Sequence, residues 1–178
     1  MESGPTSVLA YWLLPAEPAR SYFTSIINEF ARRLDAPAFD PHVTIYATKK
    51  ANDVPAEILD RVLTDWQPCR LTIRDVEYSD LFIKTVFVQF DPSPNLTRLS
   101  QAFQQTSDLH DPYDFNPHLS LIYKEMKSSA KIDMIASIQL PFDEVYFDMA
   151  KAVICPLKTR SRQDVENWRV VAVQRLAK

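Results

Sequence analysis

Phe39-Asp40-Pro41-His42-Val43-Thr44-Ile45 and Phe115-Asn116-Pro117-His118-Leu119-Ser120-Leu121 decide how this chain is read. Each runs Phe, Asp or Asn, Pro, His, an apolar residue, a hydroxyl residue and another apolar residue. The two histidines stand 76 positions apart in 178 residues, and the chain has only three histidines in all. Proline is 13 of those residues, so a Pro-His pair with a hydroxyl two places on, occurring twice, is poorly explained by composition. A repeated segment signals a duplicated structural unit.

The geometry follows from the residue types. Proline lacks an N–H and suits the start of a strand. Beyond it, period-two alternation puts His42 and Thr44 on one face and Val43 and Ile45 on the other. His118 and Ser120 share a face in the same way, with Leu119 and Leu121 behind them. Two such strands side by side offer two imidazoles and two hydroxyls to one pocket. One imidazole can take a proton from water while the other gives one to a leaving oxygen. The hydroxyls can donate to oxygens that gain charge at phosphorus.

The doubled motif resembles that of the two-histidine (2H) phosphoesterase superfamily. Phe39 to Ile45, with Asn116 to Tyr123, is most similar to its cyclic phosphodiesterase branch. The resemblance rests on the motif pair; length, motif separation and element order fit it, and elsewhere it is a pattern match. It implies metal-free, cofactor-free opening of a nucleoside 2′,3′-cyclic phosphate, or of ADP-ribose 1″,2″-cyclic phosphate, to a phosphomonoester. His42 and His118 would be the acid and base, and Thr44 and Ser120 would hold the phosphate oxygens. We carry His42 as acid and His118 as base, an order the motif symmetry does not itself set. In the family an aromatic hydroxyl near Tyr123 reaches the site. Tyr123 is five residues past His118, an odd offset that faces away on an ideal strand. A bulge or strand end is needed to bring it in.

Composition bounds the alternatives. The length and the 46% hydrophobic content suit one domain, residues 1–178, with a sizeable core. The net charge is −3 and the pI about 5.6, which argues against charge-driven binding to long nucleic acid. The expected partner is a small anionic nucleotide, with RNA ends as the alternative. Gly4 is the only glycine, so the chain cannot build a glycine-rich phosphate loop. Cys69 and Cys155 match no metal spacing and read as free thiols in a reducing compartment. No stretch approaches the roughly 20 apolar residues of a membrane span, and no signal peptide is seen. A cytoplasmic monomer is expected.

Around the motifs, strands are expected at Ser7–Leu14, His42–Ala47, Arg70–Tyr78 and Leu81–Phe90. Further strands are expected at His118–Tyr123, Phe142–Met149, Ala150–Cys155 and Trp168–Leu176. Helices are expected at Ala19–Leu34, Pro55–Trp66, Ser93 or Pro94 to Thr106, and Ser128 or Ser129 to Gln139. The phase of Arg70–Tyr78 slips at Arg74-Asp75, as a β-bulge would make it. Phe82 and Phe87 could stack a base but suit core packing better. Lys49 and Lys50 read as a solvated loop end, and His110 as a surface residue. The fold class is α+β, with two pseudo-symmetric lobes, each a mostly antiparallel sheet with helices outside, and the active cleft between them. Three other functions fit less well: an RNA-end enzyme of the 2′–5′ ligase or exonuclease kind, a nucleotide-binding module without turnover, and purely structural histidines.

Overall fold

A computed structural model describes residues 7–49, 54–106 and 112–177. Residues 1–6, Lys50 and His110 lie outside the described residues. In chain order the elements are β1 (Ser7–Pro15), α1 (Ala19–Leu34), β2 (Val43–Lys49), α2 (Pro55–Leu63) and β3 (Cys69–Tyr78). A 3-10 turn (Phe82–Lys84), β4 (Val86–Phe90), α3 (Pro94–Thr106) and β5 (His118–Ile122) follow. The chain continues through α4 (Ser128–Ser137), β6 (Glu144–Pro156), α5 (Arg162–Glu166) and β7 (Arg169–Arg175).

The fold is α+β. Seven strands form one antiparallel sheet in the order β1-β2-β5-β4-β3-β6-β7, and β1 pairs with β6 as well. The pairings are consistent with two lobes. One run is β2-β1-β6-β7, the other β5-β4-β3. They meet at a single β2–β5 bridge, Val43 with Leu119, and along a short ladder that pairs Cys69 through Thr72 with Glu144 through Phe147.

Each motif strand is backed by a helix that arrives from elsewhere in the chain. α1 packs behind β5 and α3 behind β2. α1 buries Ala19, Phe23, Ile27 and Phe30, the i, i+4 stripe of an amphipathic helix. It stops at Asp35, whose left-handed φ of 49° lets the chain turn out. α3 starts at Ser93, whose Oγ accepts the Leu96 N–H at 3.3 Å. Pro94 then takes the first helical position, where no N–H is needed. Fully buried Phe23 and Phe103 tie these helices to the sheet, and truncating either to Ala would cost about 3–5 kcal/mol.

Three segments differ from the sequence expectation. Phe142–Met149 and Ala150–Cys155 are not two strands but one 13-residue strand, β6. Nothing in Asp148-Met149-Ala150-Lys151 breaks the chain, and partners on both edges hold it straight. Leu81–Phe90 is not all strand. The Ser79 and Thr85 side chains cap a 3-10 turn there, with Ser79 Oγ donating to the Lys84 carbonyl at 2.5 Å and Thr85 Oγ1 to the Phe82 carbonyl at 2.9 Å. The 156–167 segment contains α5, whose N-terminus is capped by Ser161. The bulge expected at Arg74 is present, since Ile73 pairs with Phe90 and Asp75 with Gln89.

Candidate active site

The two motif strands are bulged at the same place. In β2, Tyr11 of β1 faces Tyr46 and Trp12 faces Thr44, leaving Ile45 as the extra residue. In β5, Phe87 of β4 faces Ser120 and Val86 faces Ile122, leaving Leu121 as the extra residue. Ile45 and Leu121 hold equivalent motif positions, three past each histidine. Such a bulge reverses the alternation beyond it. Ile45-Tyr46 and Leu121-Ile122 therefore both enter the core, while Ala47 and Tyr123 turn into the cavity with the motif residues. The phase change that Tyr123 needs is thus supplied at Leu121.

His42, Thr44, His118, Ser120 and Tyr123 line one cavity of about 250 Å3. Val43 and Leu119, both 0% exposed, form the bridge beneath it. On an antiparallel pair the next positions outward set His42 across from Ser120, and Thr44 across from His118. Each histidine thus stands in register with the other strand's hydroxyl residue, and all four line the cavity.

Both rings are oriented alike. His42 Nδ1 lies 2.7 Å from the Asp40 carbonyl, and His118 Nδ1 lies 2.8 Å from the Asn116 carbonyl. A carbonyl only accepts, so Nδ1 carries the proton and donates, and Nε2 is left for the cavity. Proline at the intervening position fixes the turn that makes this bond. Burial pushes both imidazoles down to about 4. The opposing and reinforcing influences differ. At His42 the Asp40 carbonyl and carboxylate favour the proton, while His118 and Lys151 oppose it. At His118 the Asn116 carbonyl favours it and Lys84 opposes it.

The hydroxyls are held differently. Ser120 Oγ donates to the Ile83 carbonyl at 3.0 Å, and Tyr123 lines the cavity beside it. Burial raises the Tyr123 phenol well above its ordinary range, and its ring stacks on Phe39 at 4.0 Å. Thr44 lines the opposite side, where its carbonyl accepts from Tyr113 Oη at 3.4 Å.

Sequence reasoning missed the aromatic wall. Trp12 of β1 stacks flat on His42, with ring centroids 3.7 Å apart and planes 13° apart. Trp168, just before β7, meets Trp12 edge-on at 5.2 Å and Tyr123 at 5.6 Å. The only sequence signal for Trp12 was its place in an apolar strand, which reads as core. Phe87 is buried and meets His118 edge-on at 5.6 Å. Phe82 lies 6.2 Å from Tyr123, and neither phenylalanine lines the cavity. Cys155 lies on the cavity floor, and burial raises its thiol to about 12, leaving it a neutral side chain. Cys69 and Cys155 are both free.

The doubled strand, its doubled bulge and the shared cavity agree with the result of comparison with known families. A family described as "Cyclic phosphodiesterase-like protein" matches residues 8–176. The chain belongs to that family. Membership carries the two-histidine phosphoesterase resemblance from the motifs to nearly the whole chain. Solved structures share the fold. E. coli LigT in apo form superposes with a TM-score of 0.59 at 14% identity, covering 99% of this chain and 100% of that one. E. coli LigT complexed with 3′-AMP gives 0.56 at 12% identity, covering 97% and 99%. A structure described as a phosphoesterase gives 0.57 at 14% identity, covering 98% and 100%. At such identities the likeness is one of fold. No curated protein sequence matches the chain. Among the described residues no helix is long and apolar enough to cross a membrane, and no three His, Cys, Asp or Glu side chains cluster as metal ligands.

Proposed function

We propose that this family member is a metal-independent cyclic phosphodiesterase. Its substrate is a nucleoside 2′,3′-cyclic phosphate or ADP-ribose 1″,2″-cyclic phosphate, opened to a phosphomonoester. One observation carries the reading: two imidazoles, each tied at Nδ1 to the carbonyl two residues before it, line one cavity together with Thr44 and Ser120.

Water attacks phosphorus in line with the leaving ring oxygen. His118 Nε2 takes the water proton as the new P–O bond forms, and His42 Nε2 gives its proton to the leaving oxygen as the old bond breaks. The Thr44 and Ser120 hydroxyls turn to donate to the non-bridging oxygens. The Ile83 carbonyl holds the Ser120 hydroxyl in place before substrate binds, and the Tyr123 phenol lines the same cavity. Two features favour this order of roles. Trp12 presents its π face to His42, which stabilises an imidazolium there. Lys84 opposes a proton on His118, where no carboxylate favours one, whereas at His42 the Asp40 carboxylate works against Lys151. Burial keeps both rings neutral at pH 7, so His42 gains its proton when the anionic diester binds beside it.

The test is a product assay on 2′,3′-cyclic AMP and ADP-ribose 1″,2″-cyclic phosphate in EDTA, read by phosphorus NMR. The expected result is conversion to a single phosphomonoester, lost in His42→Ala and in His118→Ala. Conversion that stops in EDTA would refute metal independence. Failure to convert either compound would refute the proposed substrates and direct the assay to RNA ends.

A further inference from the structure

Lys131 is a lysine on α4 with its side chain 2% exposed. Removing an ammonium from water costs several kcal/mol unless its donors are matched. Its Nζ donates to the Ser79 carbonyl at 2.8 Å and to Asp80 Oδ1 at 2.7 Å, and lies over the Tyr78 ring at 5.6 Å. The Asp80 carboxylate is 92% exposed, so the salt bridge is largely screened by water. The bond that organises structure is therefore the one to the Ser79 carbonyl.

Ser79 is the root of the 79–85 loop. Its N–H donates to the Thr85 carbonyl at 3.1 Å. Its Oγ accepts the Leu81 N–H at 3.2 Å and donates to the Lys84 carbonyl. Thr85 Oγ1 bonds the Leu81, Phe82 and Lys124 carbonyls in a shared arrangement. The loop so fixed carries Ile83, which lines the cavity and whose carbonyl accepts from Ser120 Oγ.

We propose that Lys131 is a positioning residue for the phosphate-binding hydroxyl of Ser120, acting through Ser79 and the Ile83 carbonyl. Its ammonium touches no substrate. It sets where the Ile83 carbonyl stands, and so the orientation from which Ser120 turns to the phosphate. The proposal rests on the reading of Ser120 given above.

The test compares Lys131→Met in three backgrounds: the unaltered chain, Ser120→Ala and Thr44→Ala. Lys131→Met should lower kcat/KM for 2′,3′-cyclic AMP about tenfold in the unaltered chain and in Thr44→Ala, and by less than about twofold in Ser120→Ala. Lys131→Arg, which keeps the charge, should recover part of the loss. Equal losses in all three backgrounds, or no loss in the first, would overturn the proposal. Asp80→Asn, at an exposed position that does not threaten folding, removes only the screened ion pair and should cost less than about twofold, and a loss as large as that of Lys131→Met would overturn the proposal. If the unaltered chain turns over neither cyclic phosphate, the failure is that of the proposed activity. Amide exchange at Ser79 and Lys84 then reads the anchor directly: faster exchange in Lys131→Met supports it and unchanged exchange overturns it.

Discussion

β2 and β5 are built to one plan and furnished differently. Both follow a Pro-His pair, tie that histidine to a carbonyl two residues back, bulge three residues past it and turn the residue five past it into the cavity. After His42 that residue is Ala47; after His118 it is Tyr123. His42 lies flat on Trp12, while His118 meets the edge-on ring of Phe87. Asp40 is ion-paired with Lys151, whereas its counterpart Asn116 accepts from Gln89 Nε2 at 2.7 Å. The shared plan gives a symmetric pair of imidazoles. The furnishings give each one its own charge environment, as the proposed in-line displacement needs, because there one partner must start protonated and the other bare.

The strongest way to break the comparison is to remove each imidazole. His42→Ala and His118→Ala should each lower kcat/KM by at least about a hundredfold. They should part on a diester whose leaving group is an aryl oxide, which needs no protonation. His42→Ala should regain much of its rate there and His118→Ala should not. Equal recovery would erase the assigned asymmetry.

Proton linkage gives a test without substrate. Between pH 6.5 and about 4 the unfolded chain binds a proton at each of these histidines and the folded chain does not. Folding stability should therefore fall as pH drops through that window, and be unaffected by these groups above 6.5. The loss is about 3 kcal/mol for buried His42 and smaller for half-buried His118. A His42→Asn/His118→Asn chain, followed by urea unfolding at pH 7 and pH 4.5, should lose less stability on acidification than the unaltered chain.

The hydroxyls come next. Thr44→Ala and Ser120→Ala should each cost about tenfold in kcat/KM, the loss of one donor to a charged oxygen. Smaller still, Tyr123→Phe keeps the Phe39 stack and should cost roughly threefold. Because Ala47 offers no hydroxyl, no change at Ala47→Gly should mimic it. A Tyr123→Phe loss as large as that of Ser120→Ala would mean that Tyr123 contacts the phosphate directly.

Much of this arrangement was legible in the chain. Pro-His-x-hydroxyl names its own strand and face. The apolar stripes of α1 and α3 gave both helices their observed limits, and the slipped phase at Arg74 located a bulge. The pair of motif bulges was half legible: Tyr123 called for a bulge or strand end in β5, but its twin at Ile45 left no signal, because only pairing with β1 decides it. β6 was divided in two for the same reason: its continuity depends on β1, β3 and β7, all distant in sequence. Trp12 and Lys131 were invisible as functional residues. A tryptophan in an apolar strand reads as core, and a lysine on a helix reads as solvated until the tertiary fold closes over it.

The position of β1 has a consequence for the order of assembly. It lies between β2, made soon after it, and β6, whose partner residues begin some 130 positions later. Until β6 is synthesised, one edge of β1 is a row of open N–H and C=O groups beside Ala10, Trp12 and Leu14, the kind of edge that pairs with the wrong chain. Contacts this distant in sequence close slowly. The cavity floor is thus among the last parts of the molecule to form, so a nascent chain gains its helices and hairpins well before it gains a pocket.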